Sequence, residues 1–302
     1  MLSYRHAFHA GNHADVLKHG TLVLILESLL KKDKPFTAFD THAGAGAYRL
    51  DDERLAQTGE AARGVQRLLA ADSVPAELER YVNLCRTYAA HGMYPGSPEI
   101  MRSLMRRTDK LFLSELHTTE IEVLKGTVQC RPLAAETDTA ADSDRFPIPT
   151  VRHTSGFALL NAAVPPLVKR GLILTDPSYE TDGDYTDAAA ALVQAHRKWN
   201  TGIMALWYPL LFHRRRELQQ LKATITGGVR SAAAKLGESS VICAELCVAP
   251  EKEPEPGTPR LYGSGMLIIN PPYQLEEQLN VVLPYLSNIL SPEGNWRIGH
   301  LV

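Results

Sequence analysis

The chain has 302 residues, 44% of them apolar and 22% charged, with a formal net charge of −2. That length suits one α/β domain carrying an insertion, and the composition is that of an ordinary globular protein. The near-neutral balance excludes attraction to nucleic acid by bulk charge, so any phosphate-binding surface has to be local.

The first residues, Met1 to His6, lack the apolar core of a secretory signal. A helix is expected from Asn12, its N-cap, to Leu30, with an apolar face through Val16, Leu17 and Leu24. Glu27 and the run Lys31-Lys32-Asp33-Lys34 mark it as amphipathic, and no window is long and apolar enough to span a membrane. Pro35 to Asp40 reads as a short strand ending on an acid, followed by the small-residue loop Thr41-His42-Ala43-Gly44-Ala45-Gly46. The helical stretch from about Asp51 to Ala90 is too long for one crossover helix. It predicts an inserted helical subdomain over approximately residues 50–93 of a single domain spanning 1–302, closed by a turn at Tyr94 to Pro98. Lys110 to Glu115 is a second strand ending on an acid, and the polar stretch 134–149 reads as a surface loop.

Further strands are expected at Leu172–Thr175, Gly202–Trp207, Val241–Val248 and Met266–Ile269, with helices at Asp187–Lys198 and Arg214–Ala223 and a loop at Pro250–Pro259. The four cysteines, Cys85, Cys130, Cys243 and Cys247, form no CxxC pair and read as reduced thiols of a cytoplasmic protein. Strands alternating with helices predict an α/β fold, a doubly wound and mostly parallel sheet with a small helical insertion. Ligands of such sheets bind beyond the carboxyl ends of the strands, where Gly44, Gly46, Glu115 and Asp176 would stand.

The most informative stretch is Asp176-Pro177-Ser178-Tyr179, directly after the apolar strand Gly171 to Thr175. An acid, a proline and an aromatic there suit alkylation of a nucleobase amine. The Asp176 carboxylate and the Pro177 carbonyl accept the amino hydrogens, and Tyr179 stacks on the base. The usual form of this motif has a second proline where Ser178 stands. The loop after Asp40 does not suit a dinucleotide, because Arg49 holds the third glycine position, and no Gly-Lys-Ser/Thr makes it a P-loop. Taken alone, its G-x-G fits a tight strand–helix turn equally well. An acid, three residues and G-x-G also occur in S-adenosylmethionine (SAM) sites, where the glycines admit the backbone to the ligand. Glu115, ending the next strand, then suits the ribose hydroxyls.

Asn270-Pro271-Pro272-Tyr273 is formally a better amine-methylation motif, but its strand comes late in the chain and is expected near a sheet edge, where the motif would be only a turn. His9 and His13 have i, i+4 spacing, yet no further ligand completes a site with His6 or His19, so no metal is expected. Arg5, Lys18 and His19 could donate to a phosphate or to the SAM carboxylate. His213-Arg214-Arg215-Arg216 reads either as an RNA-backbone patch or as a solvated helix start.

The run from Met1 to His19 closely resembles the start of the bacterial 23S rRNA adenine-N6 methyltransferase J family. So do Asp40 to Gly46, Tyr94 to Pro98, Glu115-Leu116-His117, Ala205 to Pro209 and Ile269 to Pro272, in the same order along nearly the whole chain. The resemblance implies a Rossmann-like, SAM-dependent methyltransferase that modifies N6 of one adenine in 23S rRNA, the family's nucleotide 2030. Matched by position, SAM would be contacted by His19, His42, Ser97, Glu115 and the pair Ser155-Gly156, with Lys18 close by. Asp176 would be the catalytic acceptor, and Tyr4 and His6 would lie on the substrate side. Ser155 departs from the Asp usual before Gly-Phe, which replaces a carboxylate contact to the SAM adenine by a hydroxyl or backbone one. Ser178 leaves the reacting groups in place and frees the backbone, at a preorganisation cost of about 1 kcal/mol, a several-fold rate effect.

The expected mechanism is in-line transfer without a covalent intermediate, by positioning and polarisation of the amine. The expected partner is 23S rRNA, protein-free or partly assembled, with the adenine flipped from its stack, acted on by a monomer without membrane contact. The alternatives are methylation of a DNA adenine or protein amide, and a catalytically idle RNA- or SAM-binding module.

Overall fold

The computed structural model describes residues 9–135, 145–236, 240–253 and 261–302. Helix α1 (His13–Leu30) starts where the Asn12 side chain accepts the Asp15 amide at 2.9 Å. It is apolar on nearly every side and is accordingly buried, not amphipathic. Strand β1 (Thr37–Asp40) follows, four buried residues ending on the acid. A small antiparallel pair, β2 (Ala47–Arg49) with β3 (Met93–Pro95), brackets four helices: α2 (Glu53–Thr58), α3 (Glu60–Arg63), α4 (Val65–Leu69) and α5 (Ala76–Ala89). Val65, Leu68, Leu78 and Tyr81 from these helices share one core with α1, so the inserted segment leans on the main body instead of standing apart. Tyr94 to Pro98, expected as a turn, forms the end of β3 and the start of α6 (Ser97–Leu104), with Pro98 in the first turn where its missing N–H costs nothing.

The chain continues through β4 (Lys110–Glu115), α7 (Thr118–Gln129), β5 (Thr150–His153), α8 (Gly156–Ala163) and β6 (Gly171–Thr175). Then come α9 (Asp182–Lys198), held by a Thr181–Asp184 capping box, and β7 (Ile203–Leu211). Helix α10 (Arg215–Leu236), β8 (Val241–Cys247), β9 (Leu261–Ile269), α11 (Leu275–Leu290) and β10 (Asn295–His300) complete the described fold. Of the polar stretch expected as a loop over 134–149, residues 136–144 lie outside the described ones, as do 254–259 of the later loop.

Eight strands form one sheet in the order β10-β8-β9-β7-β6-β1-β4-β5. From β5 to β7 all neighbours are parallel, while β9 runs against β7, β8 against β9 and β10 against β8. Alternate strand residues enter two cores, one per face: Ala38, Leu172 and Leu174 on the side of α1 and α11, Phe39 and Ile173 on the side of α9 and α10. The chain moves from β1 outward to β4 and β5, then returns to the other side of β1 with β6. That reversal opens a crevice at the carboxyl ends of β1, β4 and β6.

Candidate active site

Asp40, at the end of β1, is fully buried, and burial pushes its carboxyl up to about 6. The loop beyond it turns through Gly44 in the left-handed region, φ +59°, where a Cβ would lie 2.3 Å from the Tyr48 hydroxyl. The Gly44 amide donates to Glu115 Oε2 at 2.8 Å and the His117 amide to Oε1 at 2.7 Å, which fixes the carboxylate at the end of β4. Gly156, at the start of α8, lies so close to β1 that a Cβ would stand 2.2 Å from the Thr41 carbonyl oxygen.

These elements enclose a cleft of about 290 Å³. Nine of the ten residues expected at the cofactor line it: Lys18, His19, His42, Gly44, Ser97, Glu115, Ser155, Gly156 and Asp176. Gly46 does not. Its φ of +85° and its carbonyl, which accepts the Gly96 amide at 2.8 Å, serve the packing of the loop against α6 and α7. Burial pulls the His42 imidazole down to about 4, so it is neutral at neutral pH. Tyr4 and His6 lie outside the described residues.

A second cavity, about 170 Å³, adjoins the first and shares Lys18, Asp176, Pro177 and Ser178 with it. Tyr179, Trp207 and Pro209 form its aromatic and apolar wall, with His9, Asn12 and Asp15 opposite. Tyr179 has φ +52°, packs on Tyr185 at 4.5 Å between ring centroids, and donates its hydroxyl hydrogen to the Trp207 carbonyl at 2.8 Å. Between the cavities the Lys18 ammonium meets Asp176 Oδ2 directly and Asp15 Oδ1 at 2.9 Å. Burial disfavours its charge, but Asp15 and Asp176 outweigh that and hold it well above the usual lysine value. His19, on the next residue of α1, bonds the Tyr94 hydroxyl at 2.7 Å, and Tyr94 in turn reaches Tyr81 at 3.0 Å.

Asp15 and Trp207 were not singled out as site residues by the sequence. Asp15 carried a signal, an i, i+3 pairing with Lys18 on one helical face; Trp207 stood in a motif block without a role. The Asn270 motif is excluded from the cleft by strand direction. Contrary to expectation β9 is an interior strand, but it is antiparallel to β7, and its last residue, Ile269, pairs with Met204 at the start of β7. Asn270 therefore stands at the end of the sheet opposite Asp176. Its amide donates to the carbonyls of Asn200 and Gly202 at 2.7 and 2.9 Å. Among the described residues no group of His, Cys, Asp and Glu could hold a metal, and His9 instead bonds Glu60 at 2.9 Å. In the basic run, Arg214 pairs with Asp182 and Glu217, and Arg215 with Glu251 at 3.1 Å.

The family described as ribosomal RNA large subunit methyltransferase D, RlmJ, matches residues 33–302. The chain belongs to this family. It is 42% identical to ribosomal RNA large subunit methyltransferase J of Escherichia coli K12, over 97% of this chain and 96% of that one. Identity to the protein of the same name in Haemophilus influenzae is 37%, over 99% and 98%. The solved structure of LPL1258 from Legionella pneumophila superposes with a TM-score of 0.81 at 30% identity, covering 96% of this chain and 98% of that one. The protein is thus an rRNA methyltransferase of the SAM-dependent, Rossmann-like class.

The cleft fits SAM by the chemistry of its donors. Glu115, anchored at both oxygens, retains lone pairs for a ribose diol, and Gly44 and Gly156 let the loop and α8 pack closely on Tyr48 and Thr41 at the edge of the cleft. Lys18 and His19 line its inner end, Lys18 held by Asp15 and Asp176 and His19 by the Tyr94 hydroxyl. Ser155 precedes α8 without a side-chain capping bond, so its hydroxyl is not committed to the helix.

Proposed function

We propose that this RlmJ-family enzyme transfers the methyl group of SAM to N6 of an adenine in 23S rRNA, the nucleotide 2030 of its family. The observation that carries the reading is the meeting of two cavities at Asp176, Pro177 and Ser178: a larger one that includes His42, Ser97 and Glu115 and a smaller one walled by Tyr179 and Trp207. The larger takes the cofactor, through Glu115, His42, Ser97, Ser155 and Gly156, with Lys18 and His19 at its inner end. The smaller is sized for one base. SAM supplies an electrophilic methyl, activated by its sulfonium.

Asp176 has one oxygen on Lys18 and leaves Oδ1 to accept one amine hydrogen, while the Pro177 carbonyl accepts the other. Held this way, the amine points its lone pair toward the cofactor cleft. Catalysis is then orientation plus a negative electrostatic environment for charge that develops on nitrogen. Tyr179, backed by Tyr185 and tied to Trp207, offers a fixed ring to the base. Tyr4 and His6 belong to the substrate side, as the family resemblance implies. The adenine has to leave its stack to enter, which favours protein-free or partly assembled rRNA as substrate. The enzyme acts as a monomer in the cytoplasm.

The test is methyl transfer from labelled SAM to 23S rRNA that lacks the modification. Transfer lost in Asp176→Ala and retained in Asn270→Ala supports the assignment. Transfer retained in Asp176→Ala sinks it, and SAM binding without transfer by the unaltered protein identifies an idle module.

A further inference from the structure

The strands that carry Asp40, Glu115 and Asp176 to the cleft begin at the opposite end of the sheet. The three segments that feed them, 31–36, 105–110 and 164–170, hold eight cations against two carboxylates, in a chain of net charge −2. Strand pairing makes these segments one surface. Thr37 is opposite Lys110 on one side and Gly171 on the other, and the amides of Lys110 and Thr37 bond the carbonyls of Phe36 and Arg170, each at 2.9 Å.

Two of the cations build the surface. Arg106 donates to the carbonyls of Leu30 at 2.6 Å and Lys32 at 3.1 Å, and Arg170 to those of Lys34 at 2.8 Å and Leu29. Both acids are poor counter-charges. Asp109 is buried and spent on the amides of Phe36 and Arg106, while Asp33 projects into solvent, 3.8 Å from Arg106. The remaining six cations, Lys31, Lys32, Lys34, Arg107, Lys110 and Lys169, are exposed. Nothing among the described residues pairs with them. Burial and the adjoining Arg106 push Arg170 below its usual value, as crowding of like charges requires.

Crowded, solvated and unpaired cations on converging loops suit a ligand with regularly spaced negative charges that releases counterions on binding, which is a nucleic-acid backbone. The face lies five residues of β6 away from Asp176, about 17 Å at the usual strand rise. The RNA segment whose adenine enters the smaller cavity therefore cannot cover it without wrapping around the sheet. We propose that this face is a second RNA-contact surface, which holds the phosphate backbone of a segment of the large-subunit rRNA distinct from the one that carries the target adenine. The inference rests on the reading of rRNA as substrate.

The test combines Lys32→Gln, Lys34→Gln, Lys110→Gln and Lys169→Gln, and compares two RNAs: a stem-loop just long enough to carry the target adenine, and a long 23S rRNA fragment. On the stem-loop, kcat/KM is expected to stay within about twofold at any salt, because the catalytic end is untouched. On the long RNA, KM rises about tenfold or more at low salt with kcat unchanged, and the slope of log affinity against log salt falls by about three. The corresponding Lys→Arg variant restores both. Equal losses on the two RNAs, or none on the long one, overturn the proposal; the second result leaves an acidic protein surface as the partner to seek. Gel-shift binding of both RNAs is measured alongside. If the unaltered enzyme methylates neither RNA, the substrate reading fails, and the binding difference still decides the surface.

Discussion

Asp15 holds the Lys18 ammonium 2.9 Å from its Oδ1, one helical turn away, and so shares with Asp176 a cation that only 5% of its side-chain surface exposes. Two carboxylates around one ammonium leave the group net negative. In the proposed transfer, that excess would stabilise charge that moves onto the amine nitrogen.

Removal of Lys18 is expected to do more than empty a space. In Lys18→Met the two carboxylates face each other with nothing between them, and loss of one partner from a buried ion pair costs about 3–5 kcal/mol. Methyl transfer should fall about 100-fold or more, since Asp176 then loses the contact that orients it. Adding Asp15→Asn removes one of the stranded charges, so the double variant should be more stable than Lys18→Met alone. Urea unfolding at unchanged m-value reads both effects.

Asp40 makes the fold pH-dependent in a direction opposite to most carboxylates. Burial raises its pKa to about 6, so the folded state holds the proton more tightly than the unfolded chain. That stabilisation is complete in acid, below the ordinary Asp value, and is lost as pH rises through 6. Asp40→Asn should therefore match the unaltered protein near pH 4 and exceed its stability by about 2–3 kcal/mol near pH 8. Thermal or urea denaturation across that range checks it, and an advantage on the acid side would reverse the sign of the argument.

The strands that end at the crevice were legible because each is a short apolar run ended by an acid: β1 with Asp40, β4 with Glu115, β6 with Asp176. Strand β10 was not, since five of its six residues are exposed and burial leaves little apolar signal in it. The direction of β9 was also hidden. A run such as Met266 to Ile269 has the same pattern in a parallel or an antiparallel neighbour, and only pairing with β7 reveals which end of the sheet Asn270 reaches. The Lys18–Asp176 contact joins residues 158 apart in sequence, so local spacing could not show it. Gly46 was over-read, because a glycine with positive φ answers a need of the turn as readily as one of a ligand.

Ser178 makes no hydrogen bond among the described residues, so a proline there forfeits none. Ser178→Pro should restrict Pro177 to extended backbone and preset the carbonyl proposed to receive the amine. A preorganisation gain of about 1 kcal/mol corresponds to a several-fold rise in kcat, with KM for SAM unchanged. A fall in kcat would mean that the strand-to-loop turn before Tyr179, at φ +52°, needs the freedom serine gives it.

Tyr179 has two separable functions. Its hydroxyl ties it to the Trp207 carbonyl at 2.8 Å, and its ring walls the smaller cavity. Tyr179→Phe removes only the tether, for about 1 kcal/mol of stability and a modest rise in KM for RNA. Tyr179→Ala removes the ring as well and should cost a further 1–3 kcal/mol, roughly, in kcat/KM, the worth of one base–aromatic stack. Steady-state kinetics on the same RNA separate the two, and equal losses in both variants would assign the residue to the tether alone.

Asn270 should behave as a structural residue throughout. It occupies the left-handed region at φ +54°, which asparagine tolerates better than other side chains apart from glycine, and its amide closes the α9–β7 connection through Asn200 and Gly202. Asn270→Ala loses both bonds and adds backbone strain, for an expected destabilisation of about 2–3 kcal/mol. Asn270→Gly loses the same bonds without the strain and should recover about 1 kcal/mol of that. If the residue only shapes this turn, kcat at a temperature where both variants are folded matches the unaltered enzyme in each. A drop in kcat that tracks the side chain and not the stability would return Asn270 to the catalytic candidates.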